Sequence, residues 1–232
     1  MTAVSRCVVV VPAHNERDDL PEALAAIDRA AAQVSVPVQV VVVADACDDG
    51  SETVVGRHVE VRTIGARNVG VARATGFSGF PCTADVWFAN TDADSRVPAD
   101  WLVHHLRLAD AGADAVLGTI VPENWERWPR DAAQRFAAQY IDRDGHRHIH
   151  GANLGVRASV YGALGGFAPL THDEDVDLVR RLRAHRYAME WSAQAPVVTS
   201  TRARGRVPAG FATSLPALLD TPVTATPSVV AG

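Results

Sequence analysis

Two carboxylates stand two residues apart in Asp92-Ala93-Asp94, directly after the apolar run Val86–Ala89. In a turn, such a pair can face one hard cation, because Mg²⁺ and Mn²⁺ take oxygen ligands and share them with substrate phosphates. Two other polar clusters have the same setting. Pro12-Ala13-His14-Asn15-Glu16 follows the β-branched run Cys7–Val11, and Asp45-Ala46-Cys47-Asp48-Asp49 follows Val38–Ala44. Any one cluster reads equally well as helix capping and turn chemistry. All three together are expected to meet in one crevice, since ligands of doubly wound sheets bind at the C-terminal ends of the strands.

A fourth acidic group, Asp173, Glu174, Asp175 and Asp177, crowds one short segment. Mutual repulsion there should raise proton affinity, which would suit a base. Position alone favours a simpler role, negative charge at the positive end of a helix. If that helix starts near Asp173, Asp175 lies in its first turn and can face the crevice, while Asp177 points elsewhere. His146, His148 and His150 alternate, so an extended loop could turn them to one side as a metal site or leave them solvated. Trp125 and Trp128 can stack on a sugar or apolar acceptor, or equally anchor their loop on the core.

The elements that must position these residues alternate. Strands are predicted over 7–11, 38–44, 59–64 and 86–90, and helices over 20–30, 49–57 and 68–77. Asp18 or Asp19 is the expected cap of the first helix, with Pro21 in its first turn. Strands apolar on both faces and separated by helices imply an α/β fold, a Rossmann-like, mostly parallel central sheet with helices on both faces. Further on, helices are predicted over 100–110, 131–142, 158–164 and 173–185, a strand over 115–121 and a polar loop over 143–155. Residues 1–198 read as one domain and 199–232 as a tail, irregular and partly disordered near its end.

Composition excludes several function classes. The 232 residues carry 22 basic and 27 acidic side chains, a net charge of −5, which argues against a general nucleic-acid binder. No lysine is present, so Schiff-base and P-loop lysine chemistry are absent. Three scattered cysteines suit neither a disulfide framework nor a zinc knuckle; Cys47 reads as a small residue in a tight loop. No signal peptide and no membrane-spanning run stand out, so a soluble, cytoplasmic protein is expected. Walker A, Gly-x-Gly-x-x-Gly and Gly-x-Ser-x-Gly motifs are missing from the positions where they would act.

Five stretches in order resemble the family 2 glycosyltransferases with the GT-A fold. They are Val8–Glu16; Val42–Ser51; Gly65–Arg73; Asn90–Asp94; and the late run Asn153–Arg157, Gly165–Phe167 and Glu174–Leu178. The resemblance spans residues 5–190. It implies transfer of a sugar from a nucleotide-diphosphate donor, a UDP-, GDP- or dTDP-sugar, to an acceptor hydroxyl with inversion. By that resemblance Pro12, His14, Glu16 and Asp45 line the nucleoside pocket, and Arg67 lies in a stretch that touches the nucleotide. Asp92 contacts the ribose or the metal's water, Asp94 binds a divalent Mn²⁺ or Mg²⁺, and His172 completes the metal shell. His150, Gly151, Asn153 and Glu174 border the acceptor, Gly165–Phe167 forms a turn on the same side, and Asp175 is the general base. His146 and His148 are expected at the surface. Arg202, Arg204 and Arg206 could close over the diphosphate or be an ordinary solvated tail.

The chain departs from that pattern where Glu52 follows Ser51 in place of a second Asp. Without membrane helices, a processive polymer synthase is not expected. Three alternatives stand beside the inverting transferase. A retaining GT-A transferase shares the donor site and needs no base. A sugar-1-phosphate nucleotidyltransferase usually carries a Gly-rich, basic stretch after the first strand, which is missing here. A non-catalytic binding module would keep the fold alone.

Overall fold

A computed structural model describes residues 2–202. Eight strands form one sheet: β1 (Arg6–Ala13), β2 (Val38–Asp45), β3 (Glu60–Ile64), β4 (Val86–Asn90), β5 (Ser95–Arg96), β6 (Ala115–Pro122), β7 (Leu154–Arg157) and β8 (Met189–Thr199). Their order across the sheet is β3-β2-β1-β4-β7-β6-β8-β5. Pairing is parallel within β3-β2-β1-β4 and between β6 and β8. β7 runs antiparallel to both neighbours, and β5 antiparallel to β8.

β1 shows why the centre is buried on both faces. Cys7, Val9 and Val11 point into one core layer and Val8 and Val10 into the other, all fully buried. The first layer is closed by α1 (Leu20–Ala31), α3 (Trp101–Asp110) and α4 (Ala132–Gln139), through Leu20, Ile27, Trp101, Leu102 and Phe136. The second is closed by α2 (Val69–Phe77), α5 (Ala158–Ala163) and α6 (Glu174–Ala184), through Phe77, Tyr161, Leu178 and Leu182, with Phe167 added from the loop between α5 and α6. No helix among the described residues is long and apolar enough to cross a membrane.

Five elements differ from the sequence expectation, two of them the short strands β5 and β7, the latter beginning inside the predicted polar loop 143–155. The predicted helix over 49–57 shrinks to a single 3-10 turn, Ser51–Thr53, because Asp49 bonds the Ser51 backbone and hydroxyl instead of entering a helix. α4 stops before Tyr140, whose hydroxyl accepts from the Ile120 amide and whose ring is needed elsewhere. Strand β8 was not expected at all. Its exposure alternates irregularly and Pro196 interrupts it, which weakens both strand signals. β8 matters most for the site, because Ser95 and Arg96 pair with Thr199 and Val198 and deliver residues 200–202 to the turn after β4.

Candidate active site

The sheet order places β2, β1 and β4 side by side and parallel, so their C-terminal loops open on one edge. Hydrogen bonds then stitch those loops together. His14 Nδ1 lies 2.7 Å from the Asp45 carbonyl. The Asn15 carboxamide accepts from the Asp48 amide at 2.9 Å, and the Glu16 amide donates to Ser51 Oγ at 2.8 Å. Asp45 is 4% exposed, and its two oxygens accept from the Arg67 and Asn68 amides at 2.8 and 2.7 Å. It therefore braces the left-handed turn at Arg67 from beneath, with Pro12 and His14 half-buried beside it and Arg67 exposed above. Asn68 caps α2 by accepting from Val71, and its amide group reaches the Pro169 carbonyl. At Gly70 a Cβ would stand 2.1 Å from the Ala168 carbonyl, so only glycine lets α2 approach that loop.

The turn after β4 carries Asp92 and Asp94. Arg202 donates to Asp94 Oδ2 at 2.6 Å, to both Glu16 oxygens at 2.7 and 2.9 Å, and to Asp19 at 3.3 Å. Asp19, at the N-cap position of α1, makes no side-chain cap bond. Its carboxylate faces Arg202 instead. Residues 200–202 are held over the turn by Ser200 N on the Asp94 carbonyl, Ser95 Oγ on Thr199, and the Trp128 indole on the Thr201 carbonyl at 2.7 Å. Trp128 is thus an anchor, and Trp125 packs on Phe136 with ring centroids 5.5 Å apart. Burial, opposed by Arg202 and reinforced by Asp92, Glu16 and Asp19, pushes Asp94 up to about 7. Arg204 and Arg206 lie outside the described residues.

On the other side of the same turn, Asp92 accepts from Arg73 Nη2 at 2.7 Å, and Arg73 Nε donates to Glu174 at 2.9 Å. Arg73 is 2% exposed and Glu174 5%. The next residue, Asp175, accepts from the Gly151 amide at 2.7 Å and from its own helix at Val176. Burial first, then Glu174, pushes Asp175 up to about 6, against the pull of Arg73 and these two amides. Crowding alone was the sequence argument; desolvation is the larger cause. Asp177 points away, as expected, and pairs with Arg180 and Arg181, whose hydrogen bonds lower its proton affinity despite slight burial.

Three sequence expectations need correction. Asn153 does not line the acceptor wall: it is 1% exposed, and its carboxamide joins Trp101, His105 and the carbonyls of Thr119 and Ala195. Glu174 is buried and taken up by its pairing with Arg73. His146 is not at the surface but 1% exposed against Trp191, and His148 stacks on Tyr140 at 4.0 Å. His150 stays half-buried beside Gly151, with Nε2 3.0 Å from the Tyr140 hydroxyl. His172 is half-exposed and bonds Asp173; among the described residues no contact joins it to Asp94. No group of three or more His, Cys, Asp or Glu among the described residues is arranged to hold a metal unaided.

Sequence reasoning gave Arg73 no role, and for Arg202 it weighed closure over the diphosphate but not pairing with Glu16, Asp19 and Asp94. Arg73 sits inside a helix pattern where arginine normally means a solvated face. Its sequence signals were its place within an otherwise apolar run, Val69–Ala74, and at the end of the family-like stretch Gly65–Arg73.

The model of glycosyl transferase family 2 matches residues 8–165 of this chain. Among curated proteins, the chain is 33% identical over 132 residues to the undecaprenyl-phosphate 4-deoxy-4-formamido-L-arabinose transferase of Pseudomonas syringae pv. syringae, covering 52% of this chain and 38% of that protein. It is 26% identical over 146 residues to the protein of that name from Serratia proteamaculans, covering 60% and 44%. The chain therefore spans less than half the length of these relatives. Among solved structures, S. aureus TarS 1–349 in complex with UDP-GlcNAc superposes with a TM-score of 0.65 at 14% identity, covering 87% of this chain and 60% of that one. The Pyrobaculum calidifontis mannosyltransferase PcManGT, in complex with GDP-Man and Mn²⁺, gives 0.65 at 22% identity, covering 88% and 59%.

Proposed function

The chain belongs to glycosyl transferase family 2 and has the GT-A fold, and we propose that it moves a sugar from a nucleotide-diphosphate donor to an acceptor hydroxyl with inversion. One observation carries this reading: Arg202 joins Glu16 after β1 to Asp94 after β4, and Arg73 joins Asp92 of that same turn to Glu174, the residue next to Asp175. The loops at Pro12–Glu16 and Arg67 would hold the nucleoside, with Asp45 bracing them. We take residues 1–198 as one domain working in the cytoplasm.

The donor set at Asp94 fits a divalent cation. A guanidinium already sits there as a stand-in positive charge, and Asp92 shares the turn. With too few protein ligands gathered for a closed site, the donor's diphosphate would supply the remaining oxygens, as Mg²⁺ and Mn²⁺ sites with nucleotides do. When bound, the ion supplies charge neutralisation at the leaving diphosphate. His172 would have to move to join it.

In transfer, the acceptor oxygen forms a bond to the anomeric carbon while the bond to the diphosphate breaks. The electron pair leaves with the nucleoside diphosphate. The acceptor's proton passes to a carboxylate oxygen of Asp175, whose raised proton affinity suits it to accept near neutral pH. Gly151 fixes that carboxylate through its amide, and His150 borders the same wall. Arg202, released from Asp94, would stay within reach of the diphosphate.

The names of the curated relatives favour a second reading, a polyprenyl phosphate as acceptor. A phosphate oxygen carries no proton to lose, so no base would be needed. The test is a screen of UDP-, GDP- and dTDP-sugars with Mn²⁺, reading nucleoside diphosphate release against alcohol and lipid-phosphate acceptors. Release that requires an alcohol and Asp175 supports the first reading. Release with a lipid phosphate that survives Asp175→Asn supports the second, and no release with any donor contradicts both.

A further inference from the structure

Arg73 is the buried cation at the centre of the site. It projects from α2 between two carboxylates on different elements, Asp92 after β4 and Glu174 at the start of α6. Its Nη1 is buried with no hydrogen-bond partner, and the guanidinium lies 5.9 Å from the Phe167 ring centre. The 3-10 turn Gly151–Asn153 passes so close that a Cβ on Gly151 would stand 2.4 Å from Arg73 Nη2. That same Gly151 donates its amide to Asp175. One guanidinium therefore touches the donor-side turn, the carboxylate next to the base, and the backbone that orients the base.

Packing alone does not account for such a triad. Buried ion networks seldom stabilise a fold more than apolar side chains of the same volume would, because each charge loses its hydration. What the fork does provide is fixed geometry: planar donors at set angles to two acceptors.

We propose that Arg73 is a positioning residue for sugar transfer, locking the turn of Asp92 to the Glu174–Asp175 end of α6 so that donor and base keep one mutual orientation. The inference rests on the reading of Asp175 as the base. A side chain that touches no substrate can still control rate in this way, since a displacement of about 1 Å at reacting groups costs on the order of 100-fold. The charged groups acting on Asp175 are Glu174 from its own helix and Arg73 from α2, with the Gly151 amide opposite. Arg73 also opposes the rise in Asp175's proton affinity.

Three variants test this, Arg73→Lys, Arg73→Gln and the double variant Arg73→Gln/Glu174→Gln, with Asp175→Asn alongside. Circular dichroism checks the fold, calorimetry the donor Kd, and steady-state kinetics kcat and KM from pH 5.5 to 9. Arg73→Lys keeps the charge but loses the fork. It should fold, bind donor within about threefold of the native protein, and lose on the order of 100-fold in kcat with acceptor KM unchanged. Its acid limb should stay in place, whereas that of Arg73→Gln should move up by about one pH unit as the opposing charge is lost. If Arg73→Gln fails to fold, the double variant removes the stranded carboxylate, and it should still lose kcat on the order of 100-fold. Native kcat in Arg73→Lys or in the double variant, with Asp175→Asn inactive, overturns the role of the arginine alone. Native kcat in Asp175→Asn instead removes the base reading, and this inference with it.

Discussion

Asp175→Asn should make the protein more stable at pH 8 while abolishing transfer. The carboxyl is pushed from 3.8 up to about 6, chiefly by burial. Two pK units correspond to about 3 kcal/mol. Because its folded proton affinity is raised, the group's stabilising share is full below the unfolded value and is lost as pH rises through about 6. Asparagine has no charge to desolvate, so it escapes that loss. It does forfeit one acceptor: Asp175 accepts from both Gly151 and Val176, and an amide NH₂ must face one of those donors. That costs about 1 kcal/mol. The net gain is about 2 kcal/mol at pH 8, falls to about zero near pH 4.5, and becomes a loss of about 1 kcal/mol only below the unfolded value. Urea denaturation followed by circular dichroism at both pH values reads the difference directly. A stability difference that does not change with pH would refute the claim that Asp175 is a desolvated carboxylate poised to take a proton.

Other outcomes follow from the same contacts. Arg202→Gln removes the guanidinium that competes for Asp94; a charge-assisted hydrogen bond of about 1.5–3 kcal/mol predicts Mn²⁺ binding tighter by roughly 10–100-fold at pH 8, read by electron paramagnetic resonance. Unchanged Mn²⁺ affinity would mean that the cation does not use Asp94. Gly151→Ala drives a methyl group toward Arg73 Nη2, so kcat should fall at least about 10-fold with donor binding retained; a native rate would show that the turn can relax freely. Asn153→Ala strands the Trp101 indole and the Thr119 and Ala195 carbonyls, and should cost about 3 kcal/mol in urea titrations without changing donor KM per folded molecule. A large KM change would restore Asn153 to the acceptor wall.

The parallel half of the sheet was legible because Val8–Val11 and Val40–Val43 are apolar on both faces, a pattern that few other environments accept. The polar loops after them were legible for the same reason, since polar residues at the ends of buried strands must face solvent or a ligand. β8 was not, because a half-exposed strand interrupted by Pro196 has no clean period. The gathering of Glu16, Asp92 and Asp94 at the strand ends was legible from residue type and order. Their partners were not: Arg73 and Arg202 are separated from Glu174 and Asp94 by about a hundred residues, and only the folded sheet brings each pair together. Asn153 shows the reverse error. Polar residues beside an active loop invite a functional reading, yet this one is consumed by tying α3 to β6 and β8.

A crystal structure of the chain with a nucleotide-diphosphate sugar and Mn²⁺ tests the central claim most directly. The diphosphate is expected beside Asp94 through the cation, with Arg202 withdrawn from that carboxylate and the anomeric carbon on the Asp175 side of the turn. A nucleotide bound away from the ends of β1, β2 and β4, or a cation that leaves Asp94 paired with Arg202, would contradict that claim.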